Sequence, residues 1–545
     1  MKLRLTSAAV AVAILSLAVV PASAGRFQTY TKRFKENADQ AKVISSTYLG
    51  GSGTEWLVGG GFQPDGSITL VGTSLGPQLS IAGKDADVIG TDLRAPNKPE
   101  RRVEMRRGKP RRNRDGTLRY HQFSWEHENA TAFIVRMGKG AGRVRKVLRL
   151  PWAVAGATAA ECDKSGNLYF TGIGDAKRFS TFCQDVKEMK TPKVESKLKT
   201  RTVYVAKMPA GSDEIAWVRH YTGPAEAPNV GVTDKGTVVL RGVDIRTLDK
   251  DGKVVGNTVV PGGLSRRVAV NRKDGTYAYG HEHHWGTGRE PWRCPVLKIY
   301  RPNGDLLYHL YDWGGPYVGL NNLRLVSDSA VRGVTYDSEG NLVINAWSDG
   351  GNSVMTRQPN DVRRGADKMK GLGMSAWGAG VLSCSYIVKI ETTDYKVIGG
   401  GLWLSYLSER DKPNSVAIKE LSWGPNGEIV IGGRSARGLI QTGNNLNTGE
   451  IPGGPYVTCF NEDMTSIRFS SIMNACGAVD INNGANWRFI RGFVDGKPRL
   501  LALTGAQAKE GGYNDGATAP TVRALQKSFG GGHLDGHLLL LDMSK

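Results

Sequence analysis

Seven times along the chain a short polar turn ending in Gly runs into a brief strand of alternating apolar and polar positions. Clear copies are Asp65-Gly66 before Ile68 to Gly72, Asp163 to Gly166 before Leu168 to Gly172, and Asp234 to Gly236 before Val238 to Gly242. The others turn at Asp274-Gly275, Asp337 to Gly340, Asn426-Gly427 and Asp495-Gly496. Asp or Asn with Gly supplies the positive-φ residues of a tight hairpin, and the period of two that follows suits a strand with one buried face. Each copy predicts the first hairpin of a small sheet.

A second strand-turn-strand element falls between these hairpins, as at 131–137 followed by 143–150, with further copies starting at Val203, Val296, Tyr386 and Tyr456. One more spans about 243–260, turning at Asp251-Gly252. The set lacks one member, and the chain ends supply it: residues 537–543 are expected to pair with residues 42–49. The pattern therefore predicts an all-β fold, a seven-bladed β-propeller of four-stranded blades closed by pairing the N- and C-terminal strands. Gly236 and Gly275 lie 39 residues apart, close to the roughly 40 to 45 residues of a propeller blade.

Residues 46–53, Ser-Thr-Tyr-Leu-Gly-Gly-Ser-Gly, continuing to Gly66-Ser67-Ile68-Thr69-Leu70-Val71-Gly72-Thr73, resemble the bacterial SBBP-type β-propeller repeat. The later copies keep the polar turn and strand but lose most of the Tyr-Leu-Gly-Gly signature. The resemblance implies an exported, surface-associated or extracellular scaffold, and it brings no catalytic residue with it.

The first residues have the three parts of a secretory signal: Lys2 and Arg4, an apolar run from Ala8 to Val20, and Ala22-Ser23-Ala24 as cleavage site. The expected organisation is a signal peptide at 1–24, an N-terminal segment at 25–41, and a single propeller at 42–545. A periplasmic, cell-surface or extracellular protein follows, with no transmembrane segment, because the apolar run is shorter than a span of roughly 18 to 20 residues. Six cysteines permit disulfides in such a compartment, and Cys294 with Cys384 is the pairing the repeat positions favour.

Long insertions fall between the second and third strands of the expected blades, at about 75–130, 173–201, 281–295, 348–383, 434–454 and 506–536. That connection lies on the same face as the links between blades, so the long loops are expected to crowd one face around the channel. Variable loops on a rigid scaffold are where recognition usually sits. Charge sharpens this expectation. The chain carries 72 Lys and Arg against 51 Asp and Glu, a formal net charge of +21. Residues 91–120 hold eleven basic side chains against four acidic ones, Arg101, Arg102, Arg106, Arg107, Arg111 and Arg112 among them. Lys187, Lys190, Lys193, Lys197, Lys199 and Arg201 follow in the second insertion. Such a field concentrates anionic partners, and Arg forks onto carboxylates, sulfates and phosphates. Few aromatics accompany the cluster, which argues against a nucleic-acid stacking platform.

Residues 280–294 hold three of the nine histidines, His281, His283 and His284, beside Glu282. Imidazoles suit a divalent transition metal, but the spacing is not that of a helical zinc site, and on a strand His284 points away from the other two. An exposed polar loop is the plainer interpretation. Trp285 and Trp377, in or near loops, are candidates for ligand stacking. The leading expectation is a binding module without a cofactor, recognising an anionic polysaccharide, envelope polymer or protein through its basic loop-rich face. The alternative is a metal-assisted polysaccharide lyase or hydrolase using the three histidines.

Overall fold

The structure, a computed structural model, describes residues 35–36, 39–75, 79–90, 105–106, 109–110, 130–150, 154–194, 199–225, 227–260, 268–284, 293–312, 328–349, 354–366, 384–407, 412–447, 453–474, 476, 487–507, 518–531 and 534–545. It is an all-β propeller. All seven glycines of the predicted turns, from Gly66 to Gly496, adopt φ between +74° and +93°. The acidic residue of the turn clamps it. Asp65 Oδ1 accepts from the Ser67 amide at 2.8 Å, and Asp163 Oδ1 accepts from the Asn167 amide at 3.0 Å.

The strands after each turn build antiparallel meanders that run outward from the axis. Their innermost strands touch in a closed cycle: Glu55–Phe62, Val154–Cys162, Asn229–Val232, Val268–Val270, Ser329–Tyr336, Val416–Trp423, Trp487–Val494, and back to Glu55–Phe62. At the seam, Lys42–Leu49 pairs antiparallel with Leu534–Asp542, so the two chain ends share one sheet. The core lies in wedges between neighbouring sheets. Leu57, Leu70 and Phe133 meet Leu501, Leu538 and Leu540 across the seam, and Trp487 and Leu500 meet Val430 and Val457 across the preceding wedge.

Seven separate four-stranded sheets are not what forms. Five sheets of four or five strands stand apart, and the strands of the first two hairpin pairs lie in one sheet of eleven. The cause is the run Gly59-Gly60-Gly61. With φ of +152° and +145°, Gly59 and Gly60 pair in parallel with Ala160 and Glu161. A Cβ on Gly59 would overlap the Ala160 carbonyl oxygen, so only glycine allows the two backbones to meet. Gly59→Val is therefore expected to lower stability by on the order of 3 kcal/mol, read as a fall in the urea midpoint.

The insertions do not all stay on one face. Lys84–Val88 from the first insertion pairs in parallel with the outer strand Val144–Arg149, and Val186–Glu188 from the second pairs in parallel with the outer strand Trp217–Pro224. These segments satisfy hydrogen-bonding groups that an outer edge otherwise leaves open. Lys35–Glu36 does the same for Ser466–Ile472. All six cysteines are buried thiols and none is in a disulfide, so the pairing of Cys294 with Cys384 does not form. Each sits in a buried apolar cluster, where burial pushes the Cys384 thiol up to about 12.

Candidate functional site in the axial channel

Inner strands of a propeller cannot be apolar on every side, because one edge of the ring faces the channel. Four arginines lie on or next to these inner strands. Arg488 and Arg491 come from Trp487–Val494, Arg332 from Ser329–Tyr336, and Arg272 from just beyond Val268–Val270. Arg272 is held by two carboxylates, Glu161 at 2.7 Å and Asp234 at 2.7 Å, and donates to the Cys162 carbonyl at 3.0 Å. Arg488 donates to the Val58 carbonyl at 3.1 Å and lies 3.6 Å from Glu420. Arg332 lies 3.4 Å from Glu282, and its guanidinium stands 5.2 Å from the Trp347 ring centre.

Arg491 differs from these. Its guanidinium carbon lies 3.4 Å from the centre of the Trp423 ring. Among the described residues it has no carboxylate within salt-bridge distance, its contact being the ring face. Loss of solvation, reinforced by the charge of Arg272, pulls its pKa down to about 9. Arg491 is only half-buried. With a pKa of about 9 it stays charged at neutral pH.

A second polar cluster lies at the opposite end of the first inner strand, where the long insertions begin. Glu55 is fully buried and accepts from the Gly51 amide at 3.0 Å and from Ser74 Oγ at 3.0 Å. Asp535, also buried, accepts from the Gly530 amide at 2.6 Å. Burial pushes both carboxyls up to about 7, and the charge of Glu55 adds to the rise at Asp535. Nearby His537 lies edge-on to Tyr48 and is pulled down to about 4 by burial. Asp535 belongs to the strand Leu534–Asp542 and not to the loop before it.

The predicted site residues divide into two groups. Arg101, Arg102, Arg107, Arg111, Arg112, Trp285 and Trp377 lie outside the described residues. Arg106 lies in the short strand Met105–Arg106, paired with Lys109–Pro110, and its side chain is outside the description. His281, His283 and His284 end the strand Tyr277–His284. The His281 ring stacks on Tyr279, whereas His284 Nε2 turns to Glu282 at 3.2 Å, so the strand separates them onto two faces. Among the described residues no group of three or more His, Cys, Asp or Glu is placed to hold a metal ion.

The channel arginines were not singled out in the sequence, although one signal was present. In Trp487-Arg488-Phe489-Ile490-Arg491 two arginines interrupt an otherwise apolar strand, a pattern that a strand buried on both faces would not tolerate.

No helix among the described residues is long and apolar enough to cross a membrane. No protein-family model and no curated protein matches the chain. Solved structures with some likeness include the Dos1 propeller, at 7% identity and a TM-score of 0.36 over 93% of this chain and 97% of that one. A PL25 ulvan lyase bound to a GlcA-Rha3S oligosaccharide gives 10% identity and a TM-score of 0.37 over 90% and 97%. The C-terminal WD40 domain of Sif2 gives 9% and 0.33 over 90% and 98%. At these values the fold assignment rests on the strand pairing itself.

Proposed function

We propose that the protein is an exported binding module that recognises an anionic polysaccharide, envelope polymer or protein through basic loops. In this reading the eleven-stranded sheet counts as two blades, giving seven around the ring.

One observation carries the proposal: the distribution of charge between interior and surface. Several buried cations in the described residues pair with carboxylates, as in Arg246 with Asp244 at 2.9 Å, Lys389 with Asp337 at 2.9 Å, and Arg468 with Glu428. The sequence carries a formal surplus of +21, and exposed side chains carry part of it. Lys84, Lys109, Lys187, Lys190 and Lys193 are exposed examples. A surface field of one sign raises the local concentration of anions and speeds their encounter, with a strong dependence on salt.

Retention on an immobilised acidic polysaccharide tests this proposal. The protein is expected to bind at low salt and to elute as salt rises. Replacing Arg101, Arg102, Arg106, Arg107, Arg111 and Arg112 with Gln should move elution to clearly lower salt, and replacing Lys187, Lys190 and Lys193 should add a smaller shift. Unchanged elution in both variants would refute the proposal.

A further inference from the structure

We propose that Arg491, held flat against Trp423 in the axial channel, is a binding site for a single carboxylate group, of the kind carried by an acidic sugar.

The argument starts from what a guanidinium needs. It has five N–H donors in a planar fork, and a buried or half-buried one normally spends them on carboxylates and carbonyls. Its neighbours do so: Arg272 takes two carboxylates and a carbonyl, and Arg488 takes the Val58 and Trp487 carbonyls. Arg491 instead lays its face on the Trp423 ring. Stacking satisfies the flat face of the cation and leaves the donors at its rim available. It also fixes the plane in which they point, so an oxyanion meets a fork that has already lost its rotational freedom.

The surroundings select the charge of the guest. Arg272, Glu161 and Asp234 all lie within electrostatic reach of Arg491. Arg272 draws an anion inward, while the two carboxylates oppose it, which favours one negative charge over two. A planar carboxylate also matches the guanidinium fork with two parallel hydrogen bonds. Further, the residues involved come from Trp487–Val494, Val416–Trp423 and Val154–Cys162, and from just past Asn229–Val232 and Val268–Val270. The site exists only when the ring is closed.

The inference names one group of the class of ligand proposed above, but it rests on residues that the surface loops do not contribute. Titration calorimetry of the full chain with glucuronate, with glucose as the neutral control, provides the test. The wild type is expected to bind glucuronate saturably and glucose not at all. Arg491→Gln should abolish the signal. Arg491→Lys keeps the charge without the fork and should weaken binding by about tenfold. If Arg491→Gln does not fold by circular dichroism, Trp423→Leu replaces it, with a comparable loss expected because the guanidinium is no longer held. No saturable binding by the wild type, equal binding of glucose, or undiminished binding in the folded variants would overturn the proposal. The loop variants with Gln at 101–112 should bind glucuronate as the wild type does, so failure of the loop reading and failure of the channel site give different results.

Discussion

Raising the pH from 5 to 8 is expected to destabilise the fold by several kcal/mol, with the steepest loss between about pH 5.5 and 6.5 and a flattening above about 7. Glu55 and Asp535 are the cause. Both are fully buried, and their folded pKa values stand at about 7, against ordinary values of about 4. A group whose pKa is raised by folding holds its proton more tightly in the native state. Its contribution is complete below about pH 4 and is lost as the pH passes through 7. Each pH unit of difference corresponds to about 1.4 kcal/mol, so ionising Asp535 in place costs roughly 4 kcal/mol and Glu55 somewhat less.

His537 acts in the opposite direction. Its folded pKa is depressed to about 4, so its contribution is present above about 6.5 and is lost as the pH falls towards 4. Two carboxyls outweigh one imidazole, and the net trend is downward with rising pH. Urea midpoints measured from pH 5 to 8 provide the check. Asp535→Asn with Glu55→Gln should flatten the profile, whereas His537→Gln should make the fall between pH 5 and 6.5 steeper. A profile in the double variant as steep as that of the wild type would contradict the assignment.

These two carboxyls show where sequence could and could not reach. The turn glycines were legible because a positive φ is a local demand that few residues meet, and each of the seven meets it. The pairing of residues 42–49 with the last strand was legible because the repeat lacked one hairpin and had two unpaired ends. The fusion of the first two hairpin pairs was not, since it depends on Gly59 meeting Ala160, a contact between residues a hundred positions apart whose geometry no local pattern records. The fate of Lys84–Val88 and Val186–Glu188 was hidden for the same reason: both look like loop by spacing, and they become strands only because an outer edge offers open hydrogen bonds. Asp535 reads as a loop residue beside Gly530 to Gly532, yet it begins a core strand. Arg491 reads as the polar face of a strand, and only ring closure brings Arg272 and Trp423 to it.

Arg468→Ala is expected to cost about 3 to 5 kcal/mol, the largest loss from any single substitution considered. Arg468 and Glu428 are both nearly inaccessible to solvent and form an ion pair. The same guanidinium donates to the carbonyls of Asp39 at 2.7 Å, Met543 at 3.0 Å and Ser544 at 2.8 Å. One side chain thus fastens the incoming N-terminal segment and the C-terminus to the sheet Ser466–Ile472. Removing it leaves the Glu428 carboxylate buried without its cation and three carbonyls without a donor, a penalty set by desolvation more than by the lost attraction. The comparison that isolates this cause is Arg468→Met combined with Glu428→Gln. Glutamine keeps an oxygen for the Asn426 amide, which donates to Glu428 at 2.9 Å, and removes the uncompensated charge. The double variant should therefore be more stable than Arg468→Ala, recovering half or more of the loss. Limited proteolysis should report the same change locally: in Arg468→Ala, cleavage near Asp39 and at the C-terminus precedes global unfolding, because the two segments lose the donor that holds them to the ring. If both variants lose the same stability, the carbonyl contacts and not the buried charge govern this corner of the fold, and termini that stay protected in Arg468→Ala would show that the guanidinium does not hold them.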